Sequence, residues 1–175
     1  MNRVVSLGAL CLLACAACDN GFLTQQGYEP AQPIAFSHAL HAGELKMNCQ
    51  YCHFGASQSR HAGVPPASVC MGCHTQVKPG SPEIQKLTKA VAAGVPIEWV
   101  RVHRLPDFAW FSHQNHVAAE VACQTCHGPV ETMARVQQHE TMTMGFCLDC
   151  HRKTLAEPQP GKKLAPPTDC SACHR

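Results

Sequence analysis

Apolar and polar residues follow a helical period most clearly between residues 81 and 94. Ile84, Leu87 and Val91 fall on one face, Ser81 stands where an N-cap belongs, Pro82 takes the first helical position, and Gly94 with Pro96 closes the stretch. A helix is predicted there. The residues that follow, Ile97-Glu98-Trp99-Val100-Arg101-Val102-His103, alternate with a period of two, which predicts an extended strand stopped by Pro106. Elsewhere the periodicity is short-lived. Proline pairs at Pro65-Pro66 and Pro166-Pro167 make stiff turns that no helix continues through, and Asp19 to Pro33 reads as a tether. The fold class expected is mostly irregular chain with few short α-helices.

The N-terminus has a different pattern. Met1-Asn2-Arg3 precedes an apolar run from Val4 to Ala17, which at 14 residues is too short to span a bilayer and reads as a secretory leader. The run ends in Cys15-Ala16-Ala17-Cys18-Asp19-Asn20, with small residues before a cysteine and polar ones after it. That is the look of a bacterial lipoprotein cleavage site, with Cys18 as the lipidated residue and Cys15, which has Leu12 three residues before it, as the rival. A two- or three-chain lipid anchor is stable where a single chain is not. The mature protein is then expected at a membrane, facing the periplasm or the cell exterior.

One segment is written twice. Phe36-Ser37-His38-Ala39-Leu40-His41 runs into Cys49-Gln50-Tyr51-Cys52-His53, and Phe111-Ser112-His113-Gln114-Asn115-His116 runs into Cys123-Gln124-Thr125-Cys126-His127. Further CxxCH strings stand at Cys70, Cys73 and His74, at Cys147, Cys150 and His151, and at Cys170, Cys173 and His174. CxxCH is the attachment signature of a c-type haem: two thiols form thioethers to the vinyl groups, and the adjacent histidine becomes the proximal iron ligand. Five covalently bound haem c groups are expected. A zinc ribbon has no reason to place a histidine directly after every CxxC pair, and no βαβ pattern surrounds any pair as a thioredoxin-like site would require. Ten of the 13 cysteines sit in these motifs and the other three in the leader, so none is left for a disulfide framework.

Each HxxH offers two further imidazoles from one short segment, enough to ligate two irons. His38, His41, His113 and His116 are thus four expected distal ligands, and His103 is the fifth. Met144 and Met133 are thioether alternatives, and His61 and His139 are ordinary surface or hydrogen-bonded histidines. An iron with both axial positions filled by protein moves electrons and does not bind substrate. The chain is therefore expected to be an electron-transfer protein and not an enzyme; a multihaem reductase would need an open iron.

Composition supports a core made of something other than side chains. The chain has two Trp, two Tyr and six Phe, against 13 Pro and 12 Gly, and covalent cofactors would act as large staples. The formal charge of +2 becomes negative once haem propionates are counted, and no run of Lys or Arg suggests a nucleic-acid partner. The organisation expected is a signal peptide over 1–17, a tether over 18–35 and a pentahaem domain over 36–175. Within the domain, duplicated dihaem half-units cover 36–74 and 111–151, and a tail haem lies in 152–175.

Longer strings around the motifs carry a resemblance. They include Val64-Pro65-Pro66, Cys70-Met71-Gly72-Cys73-His74, Trp99-Val100-Arg101-Val102-His103, Leu105-Pro106-Asp107-Phe108, Met144-Gly145-Phe146-Cys147-Leu148-Asp149-Cys150-His151-Arg152 and Pro166-Pro167-Thr168-Asp169-Cys170. With these the chain resembles the pentahaem cytochrome c subunit of alternative complex III, a bacterial quinol-oxidising complex, within the wider cytochrome c7/c3-like class. The resemblance implies as partners an iron-sulfur/molybdopterin-type subunit and quinol-binding integral membrane subunits. It also implies a monohaem cytochrome c or an oxidase downstream, at the periplasmic face of the bacterial inner membrane. The family subunit commonly has an N-terminal transmembrane helix; here a lipid anchor would replace it. A free-standing lipid-anchored relay is the alternative reading.

Overall fold

The computed structural model describes residues 25–158, 160–162 and 164–174, so the leader with Cys15 and Cys18 lies outside the described residues. Its elements are short. A π-helical turn at Ala39–Glu44 is followed by α1 (Cys49–Cys52), a 3-10 turn at Phe54–Ser57, α2 (Ala67–His74) and α3 (Pro82–Ala93). Then come α4 (His113–Ala118), α5 (Gln124–His127), a 3-10 turn at Val130–Thr132, α6 (Met144–Ala156) and α7 (Cys170–Cys173). Among the described residues the only pairing of β type is an isolated bridge between Ala109 and His174.

Helix α3 forms where its end signals place it. Pro82 opens it behind Ser81, and Gly94 ends it in the left-handed region at φ 66°, with its N–H directed to the Ala90 and Val91 carbonyls. Glu83 in the first turn anchors the helix: its carboxylate accepts the Ala35 N–H at 2.7 Å and meets Lys86 Nζ at 2.6 Å. Leu87 is buried, but Val91 is 43% exposed, so the buried stripe is narrower than the apolar period.

Residues 97–103 are not a strand. The Trp99 N–H turns back to the Ile97 carbonyl at 3.0 Å, and the N–H and C=O of Val100 find a side chain instead of a neighbouring strand. Gln32 donates from Nε2 to the Val100 carbonyl at 3.0 Å and accepts the Val100 N–H through Oε1 at 2.9 Å. One primary amide thus serves as the peptide group of a missing neighbour. The end of the segment read as a tether is likewise tied down. Gly27 N–H bonds to the Gln138 carbonyl at 2.7 Å, Gln138 N–H to the Tyr28 carbonyl at 3.0 Å, and Ile34 is buried.

The two HxxH segments are held by reciprocal contacts. Ala39 N–H bonds to the Met133 carbonyl at 2.9 Å, and Gln114 N–H to the Ser59 carbonyl at 3.1 Å. These are matching positions of the repeated segments: Ala39 and Gln114 each follow the first histidine of an HxxH, and Ser59 and Met133 each lie at one offset past a CxxCH motif. The first copy has one residue more between its HxxH and its cysteine, from His38 to Cys49 against His113 to Cys123. The extra residue is absorbed by the π-helical turn, where the second copy forms the regular α4.

Candidate haem-binding site

Every CxxCH motif lies at or in a helical turn, and in such a turn residues three apart share a face. Both thiols of a motif are therefore presented to one side. The turns are fixed by side-chain caps: Asn48 accepts the Gln50 N–H at 2.8 Å, Thr143 the Phe146 N–H at 3.2 Å and Asp169 the Ala172 N–H at 3.1 Å. Pro66 ends the stiff turn directly before α2, so the second motif begins a helix at once.

The imidazoles stand in opposed pairs. Ring centroids are 6.4 Å apart for His38 and His53, 6.2 Å for His41 and His74, 6.3 Å for His113 and His127, and 6.1 Å for His116 and His151. Two imidazoles sharing one metal through bonds of about 2 Å would put their centroids about 6 Å apart. Each pair joins an HxxH histidine to a motif histidine, and each HxxH serves two motifs. Among the described residues no three His, Cys, Asp or Glu side chains converge as they would on a bare metal ion.

Hydrogen bonds fix the tautomers. Nδ1 of His53 lies 2.7 Å from the Gly63 carbonyl, that of His74 2.9 Å from Val77, and that of His151 2.6 Å from Pro167. On the distal side, His41 Nδ1 is 2.9 Å from the Ser37 carbonyl, His113 Nδ1 2.9 Å from Arg60 and His116 Nδ1 2.8 Å from Ser112. A carbonyl can only accept, so Nδ1 carries the proton and Nε2 keeps its lone pair for a metal. Phe36 wedges the first pair of distal rings, edge-on to His38 at 4.9 Å and stacked on His41 at 4.4 Å. Phe111 does the same for His113 at 4.8 Å and His116 at 4.5 Å.

Burial keeps His38, His103 and His127 neutral. Burial, with smaller contributions from neighbouring histidines, pushes His38 and His127 down to about 4, and burial alone takes His103 to about 4. Neutral imidazole is the ligating form. Burial pushes the Cys126 thiol up to about 11, with nearby Cys147 and Cys150 adding to the effect. Thioether formation would remove that penalty.

The remaining predicted residues fall as follows. His103 stands edge-on to His127 at 4.4 Å, and its buried Nε2 finds no partner among the described residues. The structure does not set it opposite His174, whose recorded ring neighbour is Phe108 at 5.7 Å. Met133 is buried beside the first HxxH and Met144 is 66% exposed. His139 pairs with Glu140 at 2.9 Å, and His61 is exposed. Sequence reasoning missed Arg60, the acceptor for His113, and Gln138, which is 1% exposed. The positioning role of the Phe-Ser pair before each HxxH was open to discovery, because that pair recurs at the same offset.

The paired imidazoles and the flanking thiols fit a covalently bound haem at each of the first four motifs, and the fifth presents its two thiols and His174. Residues 109–175, which hold the third, fourth and fifth motifs, match the family of cytochrome c7 and related cytochrome c. This part of the chain is thus similar to multihaem c-type cytochromes, which are electron carriers. Over 141 residues it is 28% identical to the multihaem cytochrome c subunit of menaquinone reductase from Nitratidesulfovibrio vulgaris (strain Hildenborough), an alignment that covers 69% of this chain and 67% of that protein.

Proposed function

We propose that this chain is a pentahaem cytochrome c that serves as the electron-transfer subunit of a membrane quinol-oxidising complex of the alternative complex III type. The four opposed imidazole pairs carry the reading, since a haem iron held between the two rings of a pair would have no open position. Haem supplies reversible one-electron chemistry when bound. The chain's own part is to hold it: cysteines 49 and 52, 70 and 73, 123 and 126, 147 and 150, and 170 and 173 attach it covalently. His53, His74, His127, His151 and His174 bind from the proximal side, and His38, His41, His113 and His116 from the distal side. His103, with its unused Nε2, stands beside His127 and not opposite His174, so it would serve as the fifth distal ligand only by moving toward the fifth motif.

The similarity to a subunit of a quinone-linked reductase supports a membrane complex with quinone-handling partners. In such a complex the partners are an iron-sulfur/molybdopterin-type subunit and quinol-binding integral membrane subunits. Among the described residues no helix is long and apolar enough to cross a membrane. Attachment is assigned to a lipid on Cys18 at the periplasmic face of the inner membrane. Cys18→Ser would then release the protein from membranes, while Cys15→Ser would leave it bound.

Purification from membranes in mild detergent tests the function. Co-purifying integral and iron-sulfur subunits, with haem reduction on adding quinol, are the expected result. A lipidated cytochrome that emerges alone and does not react with quinol would instead be a periplasmic relay.

A further inference from the structure

The distal ligands define two local neighbourhoods. His38 and His41 belong to one turn and face His53 and His74, so the sites of the first and second motifs adjoin. His113 and His116 join the third and fourth in the same way.

Contacts between the two copies show which members meet. The loop leaving the first motif receives the Gln114 N–H at Ser59 and both the N–H and Nδ1 of His113 at Arg60, and His113 faces His127 of the third motif. In return Met133, beyond the third motif, receives the N–H of Ala39 beside His38, which faces His53 of the first. The first and third sites therefore lie at the joint. Beyond the fourth, the Pro167 carbonyl ahead of the fifth motif accepts from His151 Nδ1 at 2.6 Å. Trp110, next to the Phe111 wedge, gives its N–H to the Cys173 carbonyl at 2.7 Å.

We propose that the five haem sites form a single line in the order second, first, third, fourth, fifth, so that electrons enter and leave at the second and fifth sites. The proposal rests on the pentahaem reading above. The first-written motif is thus interior and the second terminal. Both ends reach the surface. His174 is exposed, and an open groove lined by Met71, His74, Gln85 and Lys89 runs beside the second motif.

Anomalous diffraction at the iron edge, on crystals of the holoprotein, tests the order. Five iron peaks are expected, with the first and third sites forming the closest pair between the two halves. A second site lying between the first and third, or a fifth site at the joint, would overturn the proposal. Absence of iron would instead remove the pentahaem reading. In solution, deleting the terminal second haem (Cys70→Ala with Cys73→Ala) should shift the midpoint of one remaining haem. Deleting the interior first haem (Cys49→Ala with Cys52→Ala) should shift two. The reverse pattern is what an order following the sequence would give, and the iron positions decide between them even where a cysteine variant fails to mature.

Discussion

His113 gives its Nδ1 proton to the carbonyl of Arg60 at 2.9 Å, while the matching nitrogen of His38 is buried and finds no partner among the described residues. Sharing that proton makes His113 the stronger electron donor to its iron, which favours the ferric state. The Arg60 guanidinium lies 5.4 Å over the Trp110 ring and steadies the loop. Arg60→Ala, which frees the loop from Trp110 and so weakens the carbonyl's hold on His113, should raise the midpoint of the third haem, and Arg60→Lys should restore part of the change. Redox titration followed by EPR is the measurement.

Ligand planes set a second distinction. The planes of His41 and His74 cross at 66°, against 28° for His116 and His151 and 8° and 6° for the remaining pairs. Crossed planes leave the iron d orbitals nearly degenerate, which gives a highly anisotropic low-spin spectrum, whereas parallel planes give a rhombic one. One haem, the second, should show the anisotropic signal. The twist comes from the locks on each ring: His41 is held by Ser37 and Phe36, and His74 by Val77. Phe36→Leu should move that signal and Phe111→Leu should not.

Leu87 and Val91 share an apolar period but not an environment. Leu87→Ala should cost about 2–4 kcal/mol, and Val91→Ala should stay within about 0.5 kcal/mol. Denaturant unfolding of the two holoprotein variants gives the comparison.

Gly128 follows the third motif at φ 71° and ψ −168°, a region nearly reserved for glycine. A Cβ there would also sit 2.5 Å from that of His139. Gly128→Ala should destabilise the fold by about 1–3 kcal/mol. Intact-mass measurement should show less complete attachment of the third haem.

The ligand role of His103 has a direct spectroscopic test. If it closes the fifth iron, His103→Ala leaves that haem high-spin and able to bind carbon monoxide. An unchanged low-spin spectrum in the variant would remove His103 from the ligand set.

The chemistry was far more legible in the chain than the packing. Thioether attachment demands two cysteines and a histidine at one spacing, and serving two irons from one turn demands HxxH, so those residues declare themselves. The ends of α3 were readable for a similar local reason, through Ser81, Pro82 and Gly94. What escaped depends on distant partners. Alternation over 97–103 reads as a strand, yet Gln32 supplies its partner. Nothing near Arg60 announces that its carbonyl orients a ring from the other half, and Gln138 looks like a surface residue until the segment near Tyr28 closes over it.

The reciprocal bonds at Ala39–Met133 and Gln114–Ser59 also bear on biogenesis. If the chain is exported from its N-terminus as proposed, His38 and His41 would cross well before Met133, and the first HxxH pair would have nothing to settle against. The early cysteines would then stay accessible for haem attachment. Closure would wait for the later half to arrive, and the pairing that joins the two halves would also time their maturation.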